Sequence, residues 1–181
     1  TVGVFYTSSE TNSKLQADMA IEAGEKLGYT METYTVSQSS EIQQVVESMV
    51  GKIDALYIPT DNLLASNMPT VSMVANQAKI PTICGESGMV ENGGLITNGI
   101  NYFDLGVLTG KQAAEILEGA DPATMPIEYC PEDSYTYTVN EDTAAEIGIE
   151  IPEEFLQDSE EAETEAATET AEETETASVA E

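Results

Sequence analysis

Ile53-Asp54-Ala55-Leu56-Tyr57-Ile58-Pro59-Thr60-Asp61-Asn62 is the stretch on which the fold turns. It reads as a short apolar strand halted by a proline and opening into Thr-Asp-Asn, three small polar residues that hydrogen-bond in turns and cap helices. A strand without an alternating polar face belongs between two layers of helices, and in an open parallel sheet the ligand crevice lies beyond the strands' carboxyl ends. Thr60, Asp61 and Asn62 are therefore expected at that crevice.

The same punctuation recurs on both sides. Residues 2–6 form an apolar strand that runs into a hydroxyl-rich loop, residues 7–13. A helix follows, with Leu15, Met19, Ala20, Ala23 and Leu27 on the face expected to meet the sheet, closed by Gly28. Residues 31–36 make a second strand. Ser39-Ser40-Glu41 starts a helix with a stripe of Ile42, Val45, Val46, Met49 and Val50 that stops at Gly51. Downstream, Pro69 sits at a first-turn position ahead of Val71, Val74, Ala75 and Ala78. A fourth strand, residues 81–84, ends in Gly85-Glu86-Ser87-Gly88, and a fifth spans residues 95–100. Strands alternating with helices across short connections predict an α/β fold, a doubly wound parallel sheet in a three-layer α/β/α lobe.

The next helix, residues 102–118, is unusual. At about 100° per residue its charged side chains Asp104, Lys111, Glu115 and Glu118 share one narrow sector. Leu105, Leu108 and Ile116 lie to one side and Phe103, Val107, Ala114 and Leu117 to the other, an apolar arc wider than one sheet face covers. Two readings stand: burial within this domain, or packing against a second partner. A further strand at residues 134–139 and a short helix capped by Asn140 precede Ile149-Glu150-Ile151-Pro152. The lobe is expected to occupy residues 1–157. Residues 158–181 hold ten acids and no base or aromatic residue, too little apolar surface to offset chain entropy, and are expected to form a disordered acidic tail that aids solubility.

Composition removes several function classes. Among 181 residues, 34 are acidic and 5 basic, all lysines, for a net charge of −29. Phosphate-backbone binding needs clustered Lys or Arg, so nucleic acid is not an expected partner. Without His, neither a Ser-His-Asp triad nor a Cys-His pair nor a His metal site can be built; without Arg, no bidentate fork is available. No enzyme activity, cofactor or metal is expected. Cys84 and Cys130 are at neither metal spacing nor CxxC spacing; a buried inert thiol fits Cys84, and a disulfide stays open. The chain holds no bilayer-length apolar run, and it opens on a strand without methionine or leader, as expected of a segment cut from a longer protein.

Four loops converge if the sheet is parallel: residues 7–13, 59–62, 85–88 and 99–102. Their hydroxyls and helix N-termini suit a carboxylate, while Asp61 and Glu86 suit an amine. Tyr6 and Tyr102 could form an aromatic wall. The candidate binding residues are Ser8, Asn12, Ser13, Thr60, Asp61, Asn62, Glu86, Ser87 and Tyr102, for a small amphoteric ligand such as an amino acid. Each has a plainer reading as a cap or as packing, which their joint pattern outweighs.

Val2-Gly3-Val4-Phe5-Tyr6 with Ser8, Glu10, Asn12 and Ser13, then the block from Val50-Gly51-Lys52 to Pro59-Thr60-Asp61-Asn62, Ala78-Lys79-Ile80-Pro81, and Gly99-Ile100-Asn101-Tyr102 with Leu105-Gly106 and Thr109-Gly110 resemble the second half of ABC-transporter substrate-binding proteins of the tryptophan and tyrosine uptake type. Ile151 to Leu156, Ile-Pro-Glu-Glu-Phe-Leu, resembles that family's end. The resemblance implies a type I periplasmic-binding-protein fold in which two lobes hinge around an aromatic amino acid and deliver it to a membrane permease. It also implies an extracytoplasmic setting, as a periplasmic protein or cell-surface lipoprotein, and a first lobe ahead of Thr1 against which residues 102–118 would pack. An exposed apolar helix there would favour self-association. Two other classes are weighed. A flavodoxin-like electron carrier fits the hydroxyl-rich first loop but lacks its glycine and a flavin-stacking tryptophan. An effector-binding lobe of a transcriptional regulator shares the fold. A response-regulator receiver ranks last, because Asp61 lies three residues past the strand's apolar run and no acidic pair ends strand one.

Overall fold

A computed structural model describes residues 1–131 and 134–156; the predicted acidic tail lies outside the described residues. The sheet has six strands in the order β2-β1-β3-β4-β5-β6. They are β1 (Val2–Thr7), β2 (Met31–Val36), β3 (Ala55–Ile58), β4 (Thr82–Cys84), β5 (Ile96–Ile100) and β6 (Tyr135–Val139). The first five run parallel, and β6 pairs antiparallel with β5. The predicted parallel sheet thus carries one antiparallel edge, which the sequence of an isolated YTYTV run does not encode.

Two cores flank the sheet. On one face Phe5, Leu56 and Ile58 meet Ile42, Val46 and Met49 of α2 (Ile42–Met49) and Val71 and Ala75 of α4 (Met68–Gln77). On the other, Val4 and Tyr6 pack on Ala17 of α1 (Thr11–Lys26). Neighbouring residues of β1 thus serve opposite cores, which is why that strand carries no polar face. Pro69 stands in the first turn of α4, and Gly51, just past α2, has φ of 76°, as left-handed helix ends require.

The stripe expected to seat α1 does not do so. Leu15, Met19 and Leu27 are 62%, 62% and 75% exposed, and the helix instead buries Ser13, Ala17 and Gly24. A Cβ at Gly24 would meet the end of the Met31 side chain of β2, which fills the space there. The helix meets the sheet through its small residues, and the apolar stripe faces out. Two short helices go beyond the expected elements, α3 (Asn62–Ser66) and α5 (Ser87–Glu91). Five residues show no helical period.

The remaining helices are α6 (Tyr102–Leu117) and α7 (Glu141–Ile147). The second is capped by Asn140, closed by left-handed Gly148, and buries Ala144 and Ile147 against Leu95. None of the residues of α6 is buried, and Phe103, Val107, Ile116 and Leu117 are all exposed. Of its two sequence readings, burial within this domain is excluded.

Candidate functional site

The carboxyl ends of β1, β3, β4 and β5 line up along one edge, and long-range hydrogen bonds join the β1, β3 and β4 loops in a row. Asp61, 1% exposed, is the central knot. One carboxylate oxygen accepts from the Thr7 amide at 2.7 Å; the other accepts from Thr7 Oγ1 at 2.8 Å and from the Leu64 amide at 2.9 Å. The same side chain therefore caps α3 and ties the end of β3 to the end of β1. With three donors satisfied in a buried position, it has no need of a ligand amine to compensate its burial.

Thr60 is held just as fully. Its amide donates to Gln16 Oε1 at 2.9 Å, its carbonyl accepts from Asn12 Nδ2 at 2.9 Å and Ser13 Oγ at 3.1 Å, and its hydroxyl donates to the Gly85 carbonyl at 3.2 Å. Three side chains from the first turns of α1 thus fix the two peptide groups that flank Thr60 in the β3 loop. Gly85 completes the join. A Cβ there would run into the backbone of Pro59 and Thr60, so only glycine lets the β4 loop lie against the β3 loop.

Glu10 extends the row outward, accepting from the Asn62 and Leu63 amides and the Asn62 side-chain amide, at 3.0, 3.1 and 2.9 Å. Two carboxylates, from Asp61 and Glu10, therefore already occupy the N-terminus of α3. The N-terminus of α1 is different: Glu10 at its cap position makes no side-chain cap bond. Asn101 caps α6, accepting from the Phe103 amide. The first turn of α1 thus has no side-chain cap, as is also the case at the starts of α2 and α4.

Farther along, Glu86 caps α5 through the Gly88 amide at 2.9 Å. Burial and then the nearby Glu86 carboxylate raise the Tyr102 phenol above its ordinary pKa, although about half of that side chain stays exposed. Ser8 donates to the Val36 carbonyl at 3.2 Å. Of the nine residues expected at the crevice, Asn12, Ser13, Thr60, Asp61 and Asn62 form one bonded cluster. Glu86, Ser87 and Tyr102 stand at its β4–β5 end, and Ser8 at its β2 end. Thr7, Glu10 and Gln16 belong to the same cluster and were not singled out. Their bonds join residues 44 to 54 positions apart, so no local spacing announces them.

Beyond Ser87 and Tyr102, a groove of about 640 Å³ runs back over β5 and β6, with Thr97 in its floor and Glu91, Glu141 and Asp142 among its lining. Among the described residues no group of His, Cys, Asp and Glu could hold a metal ion, and no helix is long and apolar enough to cross a membrane.

Helices on both faces of a mostly parallel sheet, with the capped and hydroxyl-bearing loops all on its carboxyl edge, define a lobe of the periplasmic-binding-protein class. Within that class the chain belongs to the ABC transporter substrate binding protein family, whose model matches residues 1–163. It is 45% identical over 142 residues to a tyrosine-binding protein of Clostridioides difficile strain R20291. Among solved structures it is similar to the ligand-free, open form of a substrate-binding protein with adhesive properties from Clostridium difficile, at 46% identity over 83% of this chain with a TM-score of 0.67. It is also similar to an ABC domain from Streptococcus pneumonia in complex with L-Trp, at 39% identity over 87% of this chain with a TM-score of 0.80. The chain spans 41% of the first relative's length and 50% and 52% of the two solved chains.

Proposed function

We propose that this chain is the second lobe of a two-lobed, non-catalytic solute-binding protein of an ABC importer, and that its carboxyl edge is one wall of the cleft for an aromatic amino acid. The observation that carries the reading is the division of charge along that edge. The α3 N-terminus is saturated by the chain's own carboxylates, while the α1 N-terminus beside Ser8, Asn12 and Ser13 lacks a cap. The ligand carboxylate goes to the open α1 turn, and its ammonium to Glu86, with Tyr102 beside its ring. Asp61, Thr60 and Asn62 hold that geometry. Relatives that bind tyrosine and L-Trp support the ligand class.

In the complete protein α6 packs on the first lobe, which accounts for its exposed apolar arc; in this chain alone the same face drives self-association. A permease is the partner of the two-lobed protein, which works outside the cytoplasm as a periplasmic protein or a lipoprotein. Calorimetric titration of this chain and of the two-lobed protein with tryptophan, tyrosine and phenylalanine tests the reading. Tight binding of one of them by the two-lobed protein, with weak or no binding by this chain, is expected; no binding of any of the three by either would refute the ligand class.

A further inference from the structure

Register places Val4, Tyr57, Ile83, Ile96 and Val139 side by side across five strands, an apolar row on the sheet face that α1 covers. A mostly parallel sheet carries helices on both faces. The opposite face is filled, with Leu56, Ile58 and Cys84 of β3 and β4 buried in the main core. On the α1 face the row is covered at its ends. Val4 is buried under α1, and on β6 Tyr137 meets the Phe155 ring edge to face, with centroids 4.9 Å apart. Between them Tyr57 is half-buried and Ile83 is 36% exposed, although β4 is a central strand.

The bare strip over β3 and β4 is about 10 Å across, the width of one helix. Its wall on one side is α1. Gln16 reaches Thr60 at the end of β3, so Ala20, Ala23 and Leu27, which follow it along the same side of the helix, look over β3. Leu27 is 75% exposed. None of these floor and wall residues is charged, in a protein of net charge −29. Regular alternation would bring α6 from the end of β5 onto a face of this sheet, yet none of its residues is buried.

We infer that the strip is the seat of one amphipathic helix, supplied by the chain that leads into Thr1. This rests on the reading of the molecule as a second lobe that follows a first. Its relatives have room for such a helix, since this chain spans 41% to 52% of their lengths. Geometry selects the segment. Thr1 enters β1 beside β3, where Val2 pairs with Ala55. A helix lying antiparallel to the strands over β3 and β4 ends at that same edge, a short connection from Thr1. The two lobes thus trade helices, α6 going to the first and this one to the second.

Thiol labelling tests the inference in a Cys130→Ser background, where the remaining Cys84 is buried. Ile83→Cys and Ala23→Cys put one thiol on the floor and one on the wall, and Val107→Cys puts one on α6. Three forms are compared: this chain, the same chain extended by the about 25 residues that precede Thr1 in the two-lobed protein, and the two-lobed protein itself. Positions 83 and 23 should label fast in this chain and about tenfold more slowly, or slower still, in both longer forms. Position 107 should stay fast in the extended chain and slow only in the two-lobed protein. Fast labelling at 83 and 23 in the extended chain would overturn the proposal; if 107 is also fast in the two-lobed protein, the reading it rests on falls with it. Protection of 83 in this chain that grows with protein concentration would overturn it too, by making a second copy the occupant.

Discussion

Asp61 shows how a residue at the right place can have a different task from the one its chemistry first offers. A carboxylate at the end of a central strand reads as a partner for a ligand amine, but its oxygens are taken by Thr7 and Leu64. Asp61→Ala should therefore cost about 3 kcal/mol in urea unfolding, because it removes a cap and strands the Thr7 donors. Asn12→Ala, at an exposed side chain, should cost under about 1 kcal/mol. If the two variants unfold alike, the joining role of Asp61 is wrong. Cysteine chemistry gives a second residue-level prediction. Burial pushes the Cys84 thiol up to about 12, and Cys130 is less enclosed. At pH 8 a thiol reagent should modify Cys130 promptly and Cys84 only on unfolding, since the thiolate is the reactive form. The identity of the loops was legible here, because Pro59, Gly85 and the Thr-Asp-Asn run are local punctuation. Which atoms they bond was not, because Thr7, Glu10 and Gln16 reach them across 44 or more residues.

At the scale of elements, strands were the most legible. Runs bounded by Pro, Gly or small polar turn residues located β1 to β5 within a residue or two, and Asn140 with Gly148 bracketed α7. The face of α1 was misread because an apolar stripe was weighed above the smallness of Ser13, Ala17 and Gly24, and close packing on a sheet selects for smallness. The close approach at Gly85 makes a prediction of its own. Gly85→Ala must separate the β3 and β4 loops and should cost about 1–3 kcal/mol in thermal or urea unfolding. A neutral Gly85→Ala would contradict that contact. For α6, amide hydrogen exchange should be fast throughout the helix in this chain while α2 and α4 are protected, because none of its residues is buried. Protection in α6 that grows with protein concentration would mark self-association, and Phe103→Ser with Leu117→Ser should then abolish it in sedimentation velocity.

For the molecule as a whole, the alkaline limb of stability follows from its tyrosines. Burial, and then the hydrogen bond and charge of Glu32, push Tyr34 up to about 12, and burial raises Tyr57. The folded state therefore keeps protons that the unfolded chain releases near pH 10.0. The stability these groups contribute is full below that pH and is lost as pH rises through 10 toward 12. A melting temperature that stays level across this window would contradict it, and Tyr34→Phe should flatten it. The half-length match to its relatives gives the exposed α6 and the one-sided crevice a common account: both are surfaces that a first lobe would meet. The most direct test of that claim is hydrogen exchange on the proposed two-lobed protein with and without tryptophan, tyrosine or phenylalanine. Ligand should slow exchange in residues 7–13, 59–62 and 85–88, with α6 already slow before ligand is added. Protection confined to other parts of this lobe, or an α6 that exchanges as fast in the two-lobed protein as in this chain, would contradict it.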